Sequence, residues 1–276
     1  MRPSLAQELR RRNFAGREVS LAEGALVVLG TTALAARGGR VPEAALLAGI
    51  GALGLVDDLV EPHLRRAGRP VSKGLRGHLG ALRTGRLTTG AAKALGIPLA
   101  AVAGALAAPT PRGGAMVLAD AALIAGCANL ANLLDLRPGR ALKAVLPAAA
   151  LLCLGTGTDP RDRSGRDLAR AAAVPGLLAL PADLRERGML GDAGANVLGA
   201  AVGAAATRRL SAPSRLTVLA AVVALTLASE RISFSAVIER TPALRALDRL
   251  GRLPASTTGS GGEPPARPRP GAEEQR

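Results

Sequence analysis

The sequence predicts an all-α, polytopic integral membrane helix bundle of about eight transmembrane helices, and three observations predict it. Hydrophobic residues make up 48% of the 276 positions and charged residues 21%, with a mean hydropathy of +0.24. Apolar and charged residues must therefore be segregated in blocks, which is the membrane pattern. Eight apolar runs recur, at about 21–36, 41–56, 91–108, 115–131, 141–155, 167–180, 193–207 and 215–234. Aromatic residues contribute only 1%, two Phe with no Trp or Tyr, a composition foreign to a soluble core of this size.

The first run follows some twenty polar residues, without the basic, apolar and small-residue order of a signal peptide. The second ends in Gly54-Leu55-Val56-Asp57-Asp58, and the third precedes the fourth across a short Pro- and Gly-containing turn. The fourth carries Asp120 inside and ends in Asn129-Leu130-Ala131-Asn132-Leu133-Leu134-Asp135. The fifth is unbroken by acidic residues, and the sixth is the weakest, with Arg170 and Pro175. Gly188-Met189-Leu190-Gly191-Asp192-Ala193-Gly194 leads into the seventh, where Gly199 and Gly203 at four-residue spacing allow close helix contact. After the eighth, Thr241-Pro242 reads as a helix start, Leu244, Leu247 and Leu250 mark one face, and Gly251 ends it. Residues 1–252 thus form one membrane domain, and the Pro, Gly, Ser and Glu of 253–276 read as a disordered tail. Most runs fall short of the roughly 20 residues that cross a bilayer, so each helix is expected to extend into polar flanks whose arginines reach the headgroups.

The net charge of +15 suggests nucleic acid, but two Phe supply no stacking platform and the basic residues fall between apolar blocks, so nucleic acid is set aside. Cys127 and Cys153 lie in apolar runs without metal-ligand spacing. With eight spans, the segment before the first and the loops after the second, fourth, sixth and eighth share one side. Most of the 36 basic residues fall there, which makes that side cytoplasmic by the positive-inside rule.

The carboxylates and amides converge on that side. Adjacent Asp57 and Asp58 at a membrane boundary repel each other, and a hard cation such as Mg²⁺, held by one or two carboxylates with substrate phosphates, resolves the conflict. The alternative is that the pair caps the following segment in water. Asn129, Asn132 and Asp135, at i, i+3 and i+6, present two amides and a carboxylate from one helix end. Asp192 stands at a helix start among small residues that permit close backbone approach, where it is either a ligand or an N-cap. The loop 59–90 is the most basic, with Lys73 among its arginines and Lys93 just beyond, and suits a phosphate or diphosphate. Leu75, Leu79 and Leu82 predict an amphipathic helix within it, beside His63 and His78, the only histidines.

At these residues the chain resembles the polyprenyl-phosphate glycosyl-1-phosphate transferases, the membrane family that includes phospho-N-acetylmuramoyl-pentapeptide transferase and the bacterial N-acetylglucosamine-1-phosphate transferases. The matching stretches are Asn13 to Gly24, Gly54 to Asp58, Lys73-Gly74 with the basic loop, Asn129 to Asp135 and Met189 to Gly199. The resemblance implies Mg²⁺-dependent transfer of a sugar 1-phosphate from a UDP-sugar to undecaprenyl phosphate at the plasma membrane. It implies catalytic roles for Asp57, Asp58 and Asp192, with Asp58 and Asp192 at the metal, and substrate contacts for Lys73, His78, Asn129, Asn132, Asp135 and Arg140. A homodimer is compatible with it.

The chain departs from the family pattern where Pro138, followed by Gly139-Arg140, replaces a second aspartate, and where no histidine follows His78. It is also expected to lack the family's first and last helices. Those departures favour the alternative of a catalytically inactive relative that binds polyprenyl phosphate or a membrane partner. A transporter, suggested only by Asp120, is expected to carry polar residues at mid-membrane depth and an internal repeat, and no repeat is visible.

Overall fold

Helices alternate in direction between two polar ends. A computed structural model describes residues 5–37, 40–66, 88–109 and 113–253. A short α1 (Leu5–Glu8) leads into an antiparallel hairpin of β1 (Arg10–Arg12) and β2 (Glu18–Ser20), an element the all-α expectation did not include. Its turn closes locally, because the Asn13 side chain accepts hydrogen bonds from the amides of Ala15 and Arg17. Then follow α2 (Ala22–Ala35), α3 (Val41–Arg66), α4 (Thr89–Leu106), α5 (Ala115–Leu134) and α6 (Arg140–Cys153). The long helices end with α7 (Pro160–Leu184), α8 (Gly191–Arg209) and α9 (Ala212–Ser229), and two short ones follow, α10 (Phe234–Arg240) and α11 (Pro242–Arg249).

The eight apolar runs map onto α2 to α9 with shifted ends. Thr88, Asp159 and Ser211 cap α4, α7 and α9 through their side chains, which starts α7 about seven residues before its apolar run. The expected end of the second span is overturned: α3 continues to Arg66 and carries Asp57 and Asp58 inside a helix. The amphipathic helix expected around Leu75, and the tail after Leu253, lie outside the described residues.

Helix α8 occupies the centre, packed against α2, α3, α5, α6 and α7, with nearly every residue buried. Its Gly- and Ala-rich sequence makes it slender, so neighbouring backbones come close. A methyl group on Gly203 would meet Ile124 Cα of α5 at 2.9 Å, and one on Gly199 would collide with the Cys127 carbonyl. The Gly199/Gly203 spacing is thus a packing seam, and a small-residue core accounts for the missing aromatics. Leucines on the outer faces of α2, α4 and α9 remain exposed, and α4, α5 and α9 are long and apolar enough to cross a membrane.

The end bearing Glu43, Asp120 and Ser164 is locked by arginines. Arg215 meets Asp120 at 2.5 Å, Arg161 stands 3.8 Å from the same carboxylate, and Arg209 meets Asp162 at 2.6 Å. Buried Arg208 reaches Glu43 at 3.4 Å and Ser164 at 3.1 Å. Asp120 is therefore a buried, paired acid. Asp120→Ala strands a buried guanidinium and is expected to cost about 3–5 kcal/mol, whereas Gly203→Val overpacks the α5–α8 seam for about 1–3 kcal/mol. Thermal unfolding by circular dichroism in detergent measures both, and an unchanged midpoint for Asp120→Ala would remove the network from the stability account.

Candidate functional site

Helices α3, α4 and α8 meet at the opposite end. Gly54 lets α3 touch the start of α8, since a methyl group there would lie 2.6 Å from Ala193 Cα. This contact brings Asp58 under the first turn of α8, where its two carboxylate oxygens accept the amides of Asp192 and Ala193 at 3.1 and 3.0 Å. Those amides have no partner within their own helix, and the negative charge suits the helix N-terminus. Asp58 thus acts as the cap of α8 from another helix, while Asp192 is the second residue of α8 with its side chain free to turn elsewhere.

The side chain of Asp192 turns to Lys93, one turn into α4. The Lys93 ammonium donates to Asp57 at 2.9 Å and also to Asp192. The Thr89 hydroxyl adds a hydrogen bond to Asp57, which is itself buried. The two carboxyls also hydrogen-bond to each other, which takes a shared proton, and the one cation lies against both. Asp57, Asp58 and Asp192, named from sequence, therefore form one constellation, with Lys93 at its middle.

Further carboxylates face the group. Asp135, just past α5, feels the negative charges of Asp183, Asp192, Glu23 and Asp58. Asp183 accepts the Gly139 amide at 2.8 Å and so caps α6 as Asp58 caps α8. Both carboxylate oxygens of Glu23 are buried without a hydrogen-bond partner among the described residues. Glu23 and Asp183 were not among the site residues expected from sequence, and Lys93 was expected only as part of the basic patch, not between the aspartates. Lys93 had a readable signal, being one of three lysines against 33 arginines among the 36 basic residues. Glu23 and Asp183 had none beyond their place at the ends of apolar runs.

The remaining expected residues distribute unevenly. Asn132 is half-buried at the end of α5 and Asn129 is exposed. Lys73 and His78 lie outside the described residues. Arg140 differs from expectation: it is buried, clamps Asp248 of α11 at 2.7 Å and donates to Ser235 at 2.9 Å. It anchors the C-terminal helices rather than facing a substrate. Likewise α11 docks through Asp248, while its Leu244, Leu247 and Leu250 face outward. Thr241 precedes α11 as expected, yet its hydroxyl bonds back to the Val237 carbonyl and caps nothing. The Asn13 segment folds over the site's rim, since Ser20 exchanges backbone hydrogen bonds with Arg187 and Met189, and Arg11 donates to the Asp58 carbonyl at 2.5 Å.

Oxygen donors of this kind suit Mg²⁺, the cofactor the resemblance implies. Among the described residues, however, no three His, Cys, Asp or Glu side chains are arranged to hold one ion. Lys93 engages both Asp57 and Asp192, which also hydrogen-bond to each other, and Asp58 is engaged by α8. In this arrangement the residues fit a fixed ammonium and not a resident metal. Comparison with family models, curated proteins and solved structures yields no match, so the family resemblance rests on the motifs and on this clustering.

Two outcomes are expected. Lys93→Met leaves Asp57 and Asp192 opposed without a cation and should lower the melting midpoint, with partial recovery when Asp192→Asn is added; a double variant no more stable than the single would remove the bridge. Burial by itself raises the Asp248 carboxyl, but the hydrogen bond and charge of Arg140, with Arg252 and Lys143, hold it below its usual value. A carboxyl depressed on folding contributes stability above its unfolded pKa, about 3.9, and loses it as pH falls through the lower folded value. Protection of the 234–249 amides, measured against the intrinsic exchange rate at each pH, should therefore be high at pH 6, fall below about pH 4, and already be low at pH 6 in Arg140→Ala.

Proposed function

We propose that this chain is a multi-pass plasma-membrane transferase that moves a sugar 1-phosphate from a UDP-sugar to undecaprenyl phosphate, releasing UMP. In this reading α2 to α9 are eight membrane crossings and the Lys93 end faces the cytoplasm. The observation that supports it is the gathering of Asp57, Asp58 and Asp192, from helices far apart in sequence, around Lys93 at one end of the bundle. Phosphoryl transfer asks mainly for positioning and charge neutralisation, and this set supplies both. The Lys93 ammonium offers a point charge for a phosphate oxygen, and Asp57, oriented by that ammonium and by Thr89, is placed to hold or take the acceptor's proton. Asp58 fixes the start of α8 and with it Asp192. The basic residues of 59–90 precede α4 directly and add positive charge for the diphosphate.

A second reading has its own observation. Lys93 stands between the two carboxylates, and Pro138 replaces an acid, which favours a relative that binds polyprenyl phosphate without turnover. The assay that separates the two is UMP release by purified protein given undecaprenyl phosphate and a panel of UDP-sugars, with and without Mg²⁺. UMP release supports the transferase. Polyprenyl-phosphate binding without release selects the second reading, and neither binding nor release overturns both. For the active protein, Asp57→Asn and Asp192→Asn are expected to lower turnover by about a hundredfold or more, while Asp120→Ala lowers stability and spares the turnover of the folded fraction.

A further inference from the structure

The end opposite Lys93 holds positive charge that its own network does not consume. A cavity of about 430 Å³ opens there, lined by Arg40, Pro42, Glu43, Ala107, Arg163 and Ser164. A second, of about 250 Å³, shares Arg40 and adds Leu34, Arg37, Asp167 and Arg170. Four arginines therefore border two adjoining cavities that share Arg40, and the acids lining them, Glu43 and Asp167, are fewer. Arg40 and Arg170 share Asp167 at 2.5 and 3.1 Å. Glu43 is committed to Ser164 at 3.0 Å and to buried Arg208 at 3.4 Å. Arg37 and Arg163 are exposed and make no ion pair among the described residues. Behind Ser164, Arg208 is only 5% exposed and its Nε is left without a partner.

The rest of the lining is apolar. Leu34, Pro42 and Ala107 sit beside the arginines, and α2 and α4, which reach this end, carry exposed leucines such as Leu29 and Leu106. A cavity with guanidinium groups on one wall and an apolar exit matches an amphiphile with a phosphate head. Guanidinium pairs with phosphate oxygens in a two-point geometry that a choline or ethanolamine group does not offer. General attraction of arginines to a bilayer surface needs no cavity, and it would spread over all the basic ends of the bundle alike.

We infer that this end binds the phosphate of an anionic lipid headgroup, held by Arg37, Arg40 and Arg163 with its chains along α2 and α4. The site is separate from the Lys93 constellation and stands whether or not the transferase reading does.

The test titrates phosphatidylglycerol carrying a fluorescent tail into the full-length protein in an uncharged detergent, with phosphatidylcholine carrying the same tail as comparison. Phosphatidylglycerol should bind at least about tenfold more tightly, the strength of one or two charge-assisted hydrogen bonds. The Arg37→Gln/Arg163→Gln variant should lose about tenfold. Both residues are exposed, so its melting midpoint should match the wild type, and Arg163→Gln alone should give an intermediate loss. Arg245→Gln/Arg249→Gln, at the other end, should bind as the wild type does. Inorganic phosphate that displaces the probe shows the phosphate group to be recognised by itself, and failure to displace shows that the lipid is required; each agrees with the inference. Equal affinity for the two lipids, wild-type binding by Arg37→Gln/Arg163→Gln, or an equal loss in Arg245→Gln/Arg249→Gln would overturn it.

Discussion

The cap that Asp58 places on α8 is the contact on which the rest of the site depends. Helix α8 is the centre of the bundle, and a helix made of Gly and Ala has few side chains by which its neighbours can fix its axial position. Small-residue seams determine how close helices come, but they resist sliding weakly because one small residue replaces another along the seam. Asp58 supplies the missing register. Its carboxylate meets two particular amides, those of Asp192 and Ala193, so a slip of one residue would leave buried donors and a buried charge unmatched. At the other end Arg208 and Arg209 hold α8 to Glu43 and Asp162, completing a helix pinned at both termini.

Once α8 is pinned, the position of Asp192 follows, and so does the demand for a cation. Burying several carboxylates at one bundle end is costly unless charge is offset. Two of them are offset by helix N-termini, Asp58 by α8 and Asp183 by α6. Two more share Lys93. Glu23 and Asp135 have no such compensation among the described residues, and both carboxylate oxygens of Glu23 are buried there without a hydrogen-bond partner.

Much of the helix plan was legible in the sequence, because block segregation is a strong signal and parity sorts the ends. The seam at Gly199 and Gly203 and the convergence of Asp57, Asp58 and Asp192 were legible for the same reason: spacing along one helix and parity between helices are both properties of sequence. What escaped were partners that neither motif nor parity singles out. Arg140 follows a motif that resembles a substrate loop, yet Asp248, 108 positions later, claims its guanidinium. The hairpin of β1 and β2 lies in a polar stretch with no alternation to reveal it, and its strands are held by their own ladder and by the loop before α8. The continuation of α3 past Asp58 was hidden because hydropathy ends a helix where apolar residues end, whereas hydrogen bonding does not.

The two ends of the bundle use their cations differently, and side-chain chemistry explains the division. Arginine forms a rigid planar fork that meets carboxylates and carbonyls in fixed geometry and stays charged when buried. It suits the far end, where Arg161, Arg208, Arg209 and Arg215 tie the starts and ends of five helices. Lysine is a flexible stem with a compact charge that turns toward whichever oxygen is nearest. In a chain whose composition favours arginine so strongly, the cation between Asp57 and Asp192 is a lysine. A guanidinium there would lock the two carboxylates as firmly as Arg215 locks Asp120. An ammonium holds them as a compact charge without the fixed two-point geometry of a guanidinium.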